Sequence, residues 1–323
     1  MLGPLLACAM WSINFGEKIA PSNYGFPQKL RNYFVAIIGV MIGSQVTPDL
    51  MDKFTKYFPS IFGLLIFSWC AHFVNYKIFT KFGKYDRATA FFSAAPGGLM
   101  ESIAMSEQYG GKIKVVTLQQ FLRIIFVIIL VPVMISIWFG APVGSAAGFT
   151  LEKNEIISVI DLLYITILII FGLILGSQLR MPAGHLLGPM LLTILFTLST
   201  NINIQLPDIL IVVAQVIIGT SLGARFFGMD KRVLFTAARL SALSVITMLI
   251  LAFIFVIILQ NLSELKAVTL FISFAPGGVT EMSLIALSVA SSPALVSAHH
   301  IFRIITTVSL LGIIYNRWII KLS

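Results

Sequence analysis

The chain has 323 residues, of which 58% are hydrophobic and 11% charged, with a formal net charge of +9 and a mean hydropathy of +0.97. A soluble domain carries about a quarter of its residues as charge, so a water-soluble fold is excluded, and apolar runs along the whole length point to a polytopic membrane protein. The Lys and Arg excess then belongs on cytoplasmic loops and headgroup-facing ends, and nothing resembles a nucleic-acid-binding module.

In hydrocarbon only helices or closed barrels satisfy their own backbone groups. The runs are continuous rather than alternating, so the expected spans are helical. Residues 2–15 form a short apolar segment, followed by a polar loop with Lys18, Lys29 and Arg31. A second short segment, 33–46, carries Gly39 and Gly43, a small-xxx-small pair suited to close helix packing. A longer span covers 58–76, and a basic loop with Lys77, Lys81, Lys84 and Arg87 follows. Then come 88–108, which contains an Ala-Pro-Gly-Gly, and 115–139, with Arg123 near its start.

A polar connector, 140–155, is the best boundary between two halves. The second half reads as segments 156–179, 185–199, 208–224, 234–260, 266–290 and 294–320. That makes about eleven membrane helices, six in the second half and five in the first. The long segment 156–179 has no counterpart ahead of Leu2. Either the protein evolved without that lead helix, or the true start lies upstream. Segments 2–15, 33–46, 185–199 and 208–224 fall short of the about twenty residues a membrane crossing needs. They are tilted half-helices, or they extend through less apolar flanks. The Lys and Arg distribution favours a cytoplasmic C-terminus.

The halves are copies of one another. Ser93-Ala94-Ala95-Pro96-Gly97-Gly98-Leu99-Met100-Glu101 returns as Ser273-Phe274-Ala275-Pro276-Gly277-Gly278-Val279-Thr280-Glu281, and Arg123-Ile124-Ile125 returns as Arg303-Ile304-Ile305. The offset is 180 residues without a gap, and ten of the thirty-three positions in 93–125 and 273–305 are identical. Such self-similarity marks an internal duplication.

Pro96 and Pro276 each remove a backbone donor, and the glycine pairs behind them loosen the helix. Unwound backbone at membrane depth survives only where it is buried in protein or lines a cavity. The freed amides and the N-terminus of the continuing helix suit an anion; the structural alternative is a kink or a close helix crossing. Glu101 and Glu281 fall one turn into the continuing helix, and Arg123 and Arg303 follow 22 residues later. A charge in hydrocarbon normally faces a partner or water. In the binding reading, the Glu takes a cation or proton and the Arg holds an anionic group. In the structural one, each Glu–Arg pair locks two helices together.

Gln119 and Gln120 align with His299 and His300, which puts a polar patch on the helix face of each Arg. No metal set forms around His299-His300, and His72 and His185 are isolated. Cys8 and Cys70 lie in apolar runs and read as small buried hydrophobes. Walker loops, nucleophile elbows and dinucleotide fingerprints are lacking, so the chain reads as a non-enzyme without a cofactor.

Pro182-Ala183-Gly184-His185-Leu186-Leu187-Gly188-Pro189-Met190, together with the later Pro-Gly-Gly and Arg-bearing helix, resembles the AbrB-type bacterial membrane proteins. These carry two copies of an AbrB duplication domain and are not the soluble regulators of the same name. The resemblance covers essentially the whole chain. It departs at the start, where the motif survives only from Leu2-Gly3-Pro4. The family is often labelled ammonia monooxygenase or regulator of gene expression, and the resemblance implies those labels. A copper or iron oxygenase needs clustered His and carboxylate ligands, which four scattered histidines do not supply. Regulation fits only as an indirect effect, for want of a DNA-binding element.

The expectation is therefore an all-α, multi-pass protein of the bacterial inner membrane. Its two pseudo-repeats, 1–139 and 156–323, carry Pro-Gly-Gly-broken helices. By analogy with duplicated transporters, it reads as a secondary transporter or exporter of a small solute. The site would comprise Pro96, Gly97, Gly98, Glu101, Arg123, Pro276, Gly277, Gly278, Glu281, His300 and Arg303. The alternative is a membrane regulatory protein. The expected partners are the lipid bilayer and a small molecule or ion, with room for a homo-oligomer and no nucleic acid.

Overall fold

The computed structural model describes residues 2–19, 26–46, 57–140, 159–179, 181, 183–200, 202, 204–227 and 231–315. Among them the regular structure is helical throughout. The first repeat contributes α1 (Leu2–Ile19), α2 (Gln28–Ser44), α3 (Phe58–Lys81), α4 (Arg87–Ser93), α5 (Leu99–Gln108) and α6 (Ile113–Phe139). The second contributes α7 (Val159–Gln178), α8 (Gly184–Thr200), α9 (Asp208–Gly223), α10 (Lys231–Leu259), α11 (Ala267–Phe274), α12 (Val279–Ser288) and α13 (Pro293–Ile314).

Among the described residues, six stretches are long and apolar enough to cross a membrane: Phe58–Lys81, Ile113–Trp138, Val159–Gln178, Asp208–Phe226, Val233–Leu259 and Pro293–Leu311. Large apolar side chains such as Ile137 and Val159 are more than three-quarters exposed on them, which suits a hydrocarbon surround. Segments 2–15 and 33–46 extend into their polar flanks, and 185–199 gains one residue at each end. Both α2 and α8 run 17 residues, about 26 Å at the helical rise, and α1 runs 18. Segment 208–224 continues through a 3-10 turn, Ala224–Phe226, and joins the six candidate spans. One expectation is corrected. Cys70 is exposed and Cys8 half-buried, because an apolar helix face can look outward into lipid as well as inward.

The described residues fall into two compact units, Met1–Lys53 with Gly144–Lys231 and Phe54–Val143 with Arg232–Ser323. Each unit draws segments from both repeats. Beyond Gly140, the 140–155 connector lies outside the described residues, as does Pro182 of the Pro-Ala-Gly motif.

In the first unit α2 packs on α8 and α9, α7 on α8, and α1 on α9. Glycines set these distances. A Cβ on Gly39 would lie 2.5 Å from the Leu186 carbonyl oxygen, and one on Gly43 2.6 Å from that of Met190. Gly172 meets Pro189 in the same way, and Gly176 meets Gly184. Gly39 and Gly43 thus form a small-residue packing face.

The second unit contains both Ala-Pro-Gly-Gly breaks. Its core gathers Leu64 and Phe67 of α3, Val131 of α6, Val256 of α10, Phe271 and Phe274 of α11 and Val296 of α13. The Phe67 ring meets those of Phe274 and Phe255 edge-on at 5.3 and 5.7 Å. Segment 88–108 divides into α4 and α5, and segment 266–290 into α11 and α12. Asp86 caps α4 by accepting from the Thr89 amide at 2.8 Å. The helix ends at Ser93, ahead of Pro96.

Candidate functional site

The two breaks are built alike but not identically. Gly98 starts α5 from the left-handed region, at φ 67° and ψ 58°, which glycine enters at least cost. Gly278 starts α12 from extended backbone, at φ −81° and ψ 154°. A Cβ there would fall on the Glu281 carboxylate, the end of a flexible side chain, which would have to shift to admit it. Glu281 is buried in the first turn of α12, and Glu101 is half-buried at the equivalent position of α5.

Breaking a helix orphans the carbonyls at its C-terminal end, where the macrodipole is also negative. The arginines answer that need. Arg303 donates from Nη1 to the carbonyls of Ala275 (2.8 Å) and Phe274 (3.4 Å), and from Nη2 to that of Gly277 (2.9 Å). Arg123 donates from Nη1 to the Ala95 carbonyl, the same position in the first repeat. The sequence suggests carboxylate partners for these guanidiniums. The structure instead puts these donors on the unwound backbone.

The residue three before each Arg completes the cap. His300 Nδ1 accepts from Arg303 Nη2 at 2.6 Å, so its Nε2 carries the proton that reaches the Ile272 carbonyl at 3.1 Å. Gln120 does the matching work in the first repeat. Its Nε2 donates to the carbonyls of Phe92 (2.9 Å), Ala95 (3.3 Å) and Ser93 (3.4 Å). Phe92 and Ile272 are themselves 180 residues apart, so Gln and His cap the same carbonyl in two copies, while only His300 also accepts from its arginine. The neighbouring pair serves the surroundings instead. Gln119 donates to the Tyr85 hydroxyl (2.8 Å) and accepts from Ser241. His299 lies 2.9 Å from the Leu295 carbonyl and 2.8 Å from the Ser60 hydroxyl. No three metal-ligating side chains gather among the described residues.

The first break lies against the helix whose arginine caps the second. A Cβ on Gly97, in the first break, would come within 3.7 Å of Arg303 Nε and 3.6 Å of the Ile304 side chain. Several buried polar atoms here have no hydrogen-bond partner: Nε of both Arg123 and Arg303, the Ser93 and Ser273 hydroxyls, and Gln120 Oε1. Four of these five are equivalent pairs across the repeat. Pro96 also borders a small cavity of about 10 Å³, walled by Ser68, Trp69, His72, Thr306 and Thr307, enough for about one water. Both ring nitrogens of His72 lack partners, and its ring meets Phe91 edge-on at 4.5 Å.

Pro96, Gly97, Arg123, Pro276, Gly277, Gly278, Glu281, His300 and Arg303 thus all belong to two capped breaks in one unit. Sequence reasoning missed Ser93 and Ser273, although their identity across the repeat is a visible signal. It also missed His72, whose place beside Pro96 only the fold reveals.

Together these features define an all-helical protein with membrane-length apolar helices and a duplicated, arginine-capped helix break. Residues 1–319 match the family model described as transition state regulatory protein AbrB, and the chain belongs to that family. It is 25% identical over 311 residues to "Putative regulator AbrB" of Escherichia coli, covering 94% of this chain and 85% of that protein. It is 23% identical over 345 residues to "Uncharacterized protein YhjN" of Bacillus subtilis, covering 98% and 86%.

Proposed function

We propose that the protein is a multi-pass transporter of the bacterial inner membrane, a secondary carrier or exporter of a small solute bound between the two Ala-Pro-Gly-Gly breaks. The observation that carries this reading is the set of unpartnered, buried polar atoms around the breaks. Buried donors and acceptors are almost always satisfied, and a matched set at two adjoining breaks suits a polar ligand. Arg123 and Arg303 hold the broken backbone with their Nη groups, which leaves each Nε–H to meet an anionic part of the solute. Glu101 and Glu281, each in the first turn after a break, take the coupling cation or proton, and His300 keeps Arg303 oriented. In this reading the chain is not an enzyme.

A second reading, a membrane protein with an indirect regulatory role, draws its support from the name of the Escherichia coli relative. A thermal-stability screen of detergent-purified protein separates the two. Small anions, amino acids, ammonium and Na⁺ are tested across pH on the wild type and on Glu281→Gln. A ligand that binds only the native state raises its stability by mass action. The transport reading expects at least one compound to stabilise the wild type and not the folded variant. It fails if nothing shifts the wild type while Glu281→Gln alone is much less stable.

A further inference from the structure

The second unit holds three described histidines. His299 and His300 meet protein groups at both ring nitrogens. His72, 5% exposed on α3, meets a hydrogen-bond partner at neither among the described residues. A neutral imidazole carries one donor and one acceptor, and leaving both unmet in a buried place is unfavourable enough to be rare. Two aromatic rings enclose His72: Phe91 of α4 at 4.5 Å and Trp69 at 5.9 Å, both edge-on. The same histidine walls the cavity against Pro96, together with Ser68 of its own helix and Thr306 and Thr307 of α13.

The duplication does not by itself put hydroxyls here. At the offset of 180, Thr306 and Thr307 correspond to Phe126 and Val127 of α6. Val127 is buried in the apolar core of the unit, and Phe126 packs against it. Ser68 Oγ donates to the Leu64 carbonyl at 2.7 Å, and Thr306 Oγ1 donates to that of Phe302 at 2.8 Å. With their hydrogens spent on their own helices, these two oxygens have only lone pairs left to offer. His72 adds the donor that the wall otherwise lacks.

From this combination we propose that the Pro96 cavity is a binding site for one water molecule, anchored on His72. Its volume of about 10 Å³ takes about one water and no solute of several heavy atoms. The water accepts from the ring N–H and donates to lone pairs of the wall, which gives it the two to four polar partners a buried water needs. It meets the need of the histidine that the protein leaves unmet, and it puts water beside the broken backbone. The site does not depend on the transport reading of the breaks.

The test is hydrogen–deuterium exchange at histidine Cε1, read residue by residue by mass spectrometry on the whole protein in lipid nanodiscs. His185, which is exposed, sets the fast limit. Water at the ring should make His72 exchange faster than His300, which is as deeply buried but bonded at both nitrogens. Freeing His300 breaks two hydrogen bonds, worth roughly ten-fold or more in rate. Thr306→Val with Thr307→Val keeps the side-chain shape and removes two hydroxyls. It should slow His72 toward His300 and leave His300 unchanged. A wild-type His72 that exchanges as slowly as His300 overturns the proposal, and this comparison needs no variant. Fast exchange that the double variant leaves unchanged also overturns it, because water then reaches the ring without the cavity. If the His72 rate changes when K⁺ replaces Na⁺ at fixed ionic strength, the guest is a cation and the water assignment is wrong.

Discussion

Replacing Arg303 with methionine removes a guanidinium that is 1% exposed while keeping most of the side-chain volume. Three short bonds disappear: to the carbonyls of Ala275 (2.8 Å) and Gly277 (2.9 Å) and to His300 Nδ1 (2.6 Å). If each has the modest worth of a polar contact inside a bilayer, about 0.6 kcal/mol, the loss is roughly 2 kcal/mol. The carbonyls of the broken α11 are then left buried without a donor, and an unsatisfied buried acceptor costs about 1–3 kcal/mol. The second unit, Phe54–Val143 with Arg232–Ser323, is in the size range where each kcal/mol shifts the melting point by about 2–4 °C, so a drop of several degrees is expected. Arg303→Lys should fall between, because an ammonium reaches one carbonyl but lacks the fork that spans Ala275 and Gly277. Arg123→Met should cost less than Arg303→Met, because Gln120 shares the carbonyls of the first break. The assay is fluorescence-detected melting in one detergent, with size-exclusion profiles to confirm folding. An Arg303→Met variant that melts with the wild type would refute the capping argument.

Two further outcomes follow from the same geometry. Gly278→Ala should displace the Glu281 carboxylate from its place over the break, and should cost less in a Glu281→Ala background. A double-mutant cycle of melting points measures this, and strict additivity would mean that the carboxylate does not lie over Gly278. His300→Gln should melt later than His300→Leu, because a Gln amide can cap the Ile272 carbonyl as Gln120 caps that of Phe92, whereas Leu orphans the Ile272 carbonyl and one Arg303 donor. Equal melting of the two variants would remove the equivalence.

Much of the candidate site was legible because it is written in local chemistry and repeated. Pro96 and Pro276 cannot continue a hydrogen-bonded helix, and an unbroken offset of 180 residues aligns both breaks, both glutamates and both arginines. The partner of each arginine was not legible. Opposite charge suggested Glu101 and Glu281, but a guanidinium bonds whatever acceptor lies within reach, and here the broken helix presents carbonyls 26 to 29 residues before Arg303. The span lengths were misjudged at α9 for a related reason: hydropathy registers the apolar stretch, while the backbone stays helical through Arg225 to Phe226.

Composition and periodicity by themselves determined that the chain is helical, apolar, duplicated and twice interrupted, since each property depends on neighbours in sequence. Only the tertiary structure decided that segments of both repeats share each unit, and that Gly97 lies against Arg303, more than two hundred residues away. It also decided that the arginines hold carbonyls, and that His72 walls one cavity with Thr306 and Thr307. These are matters of which surfaces meet. Packing, unlike helix formation or a proline break, depends on the shapes of both partners at once.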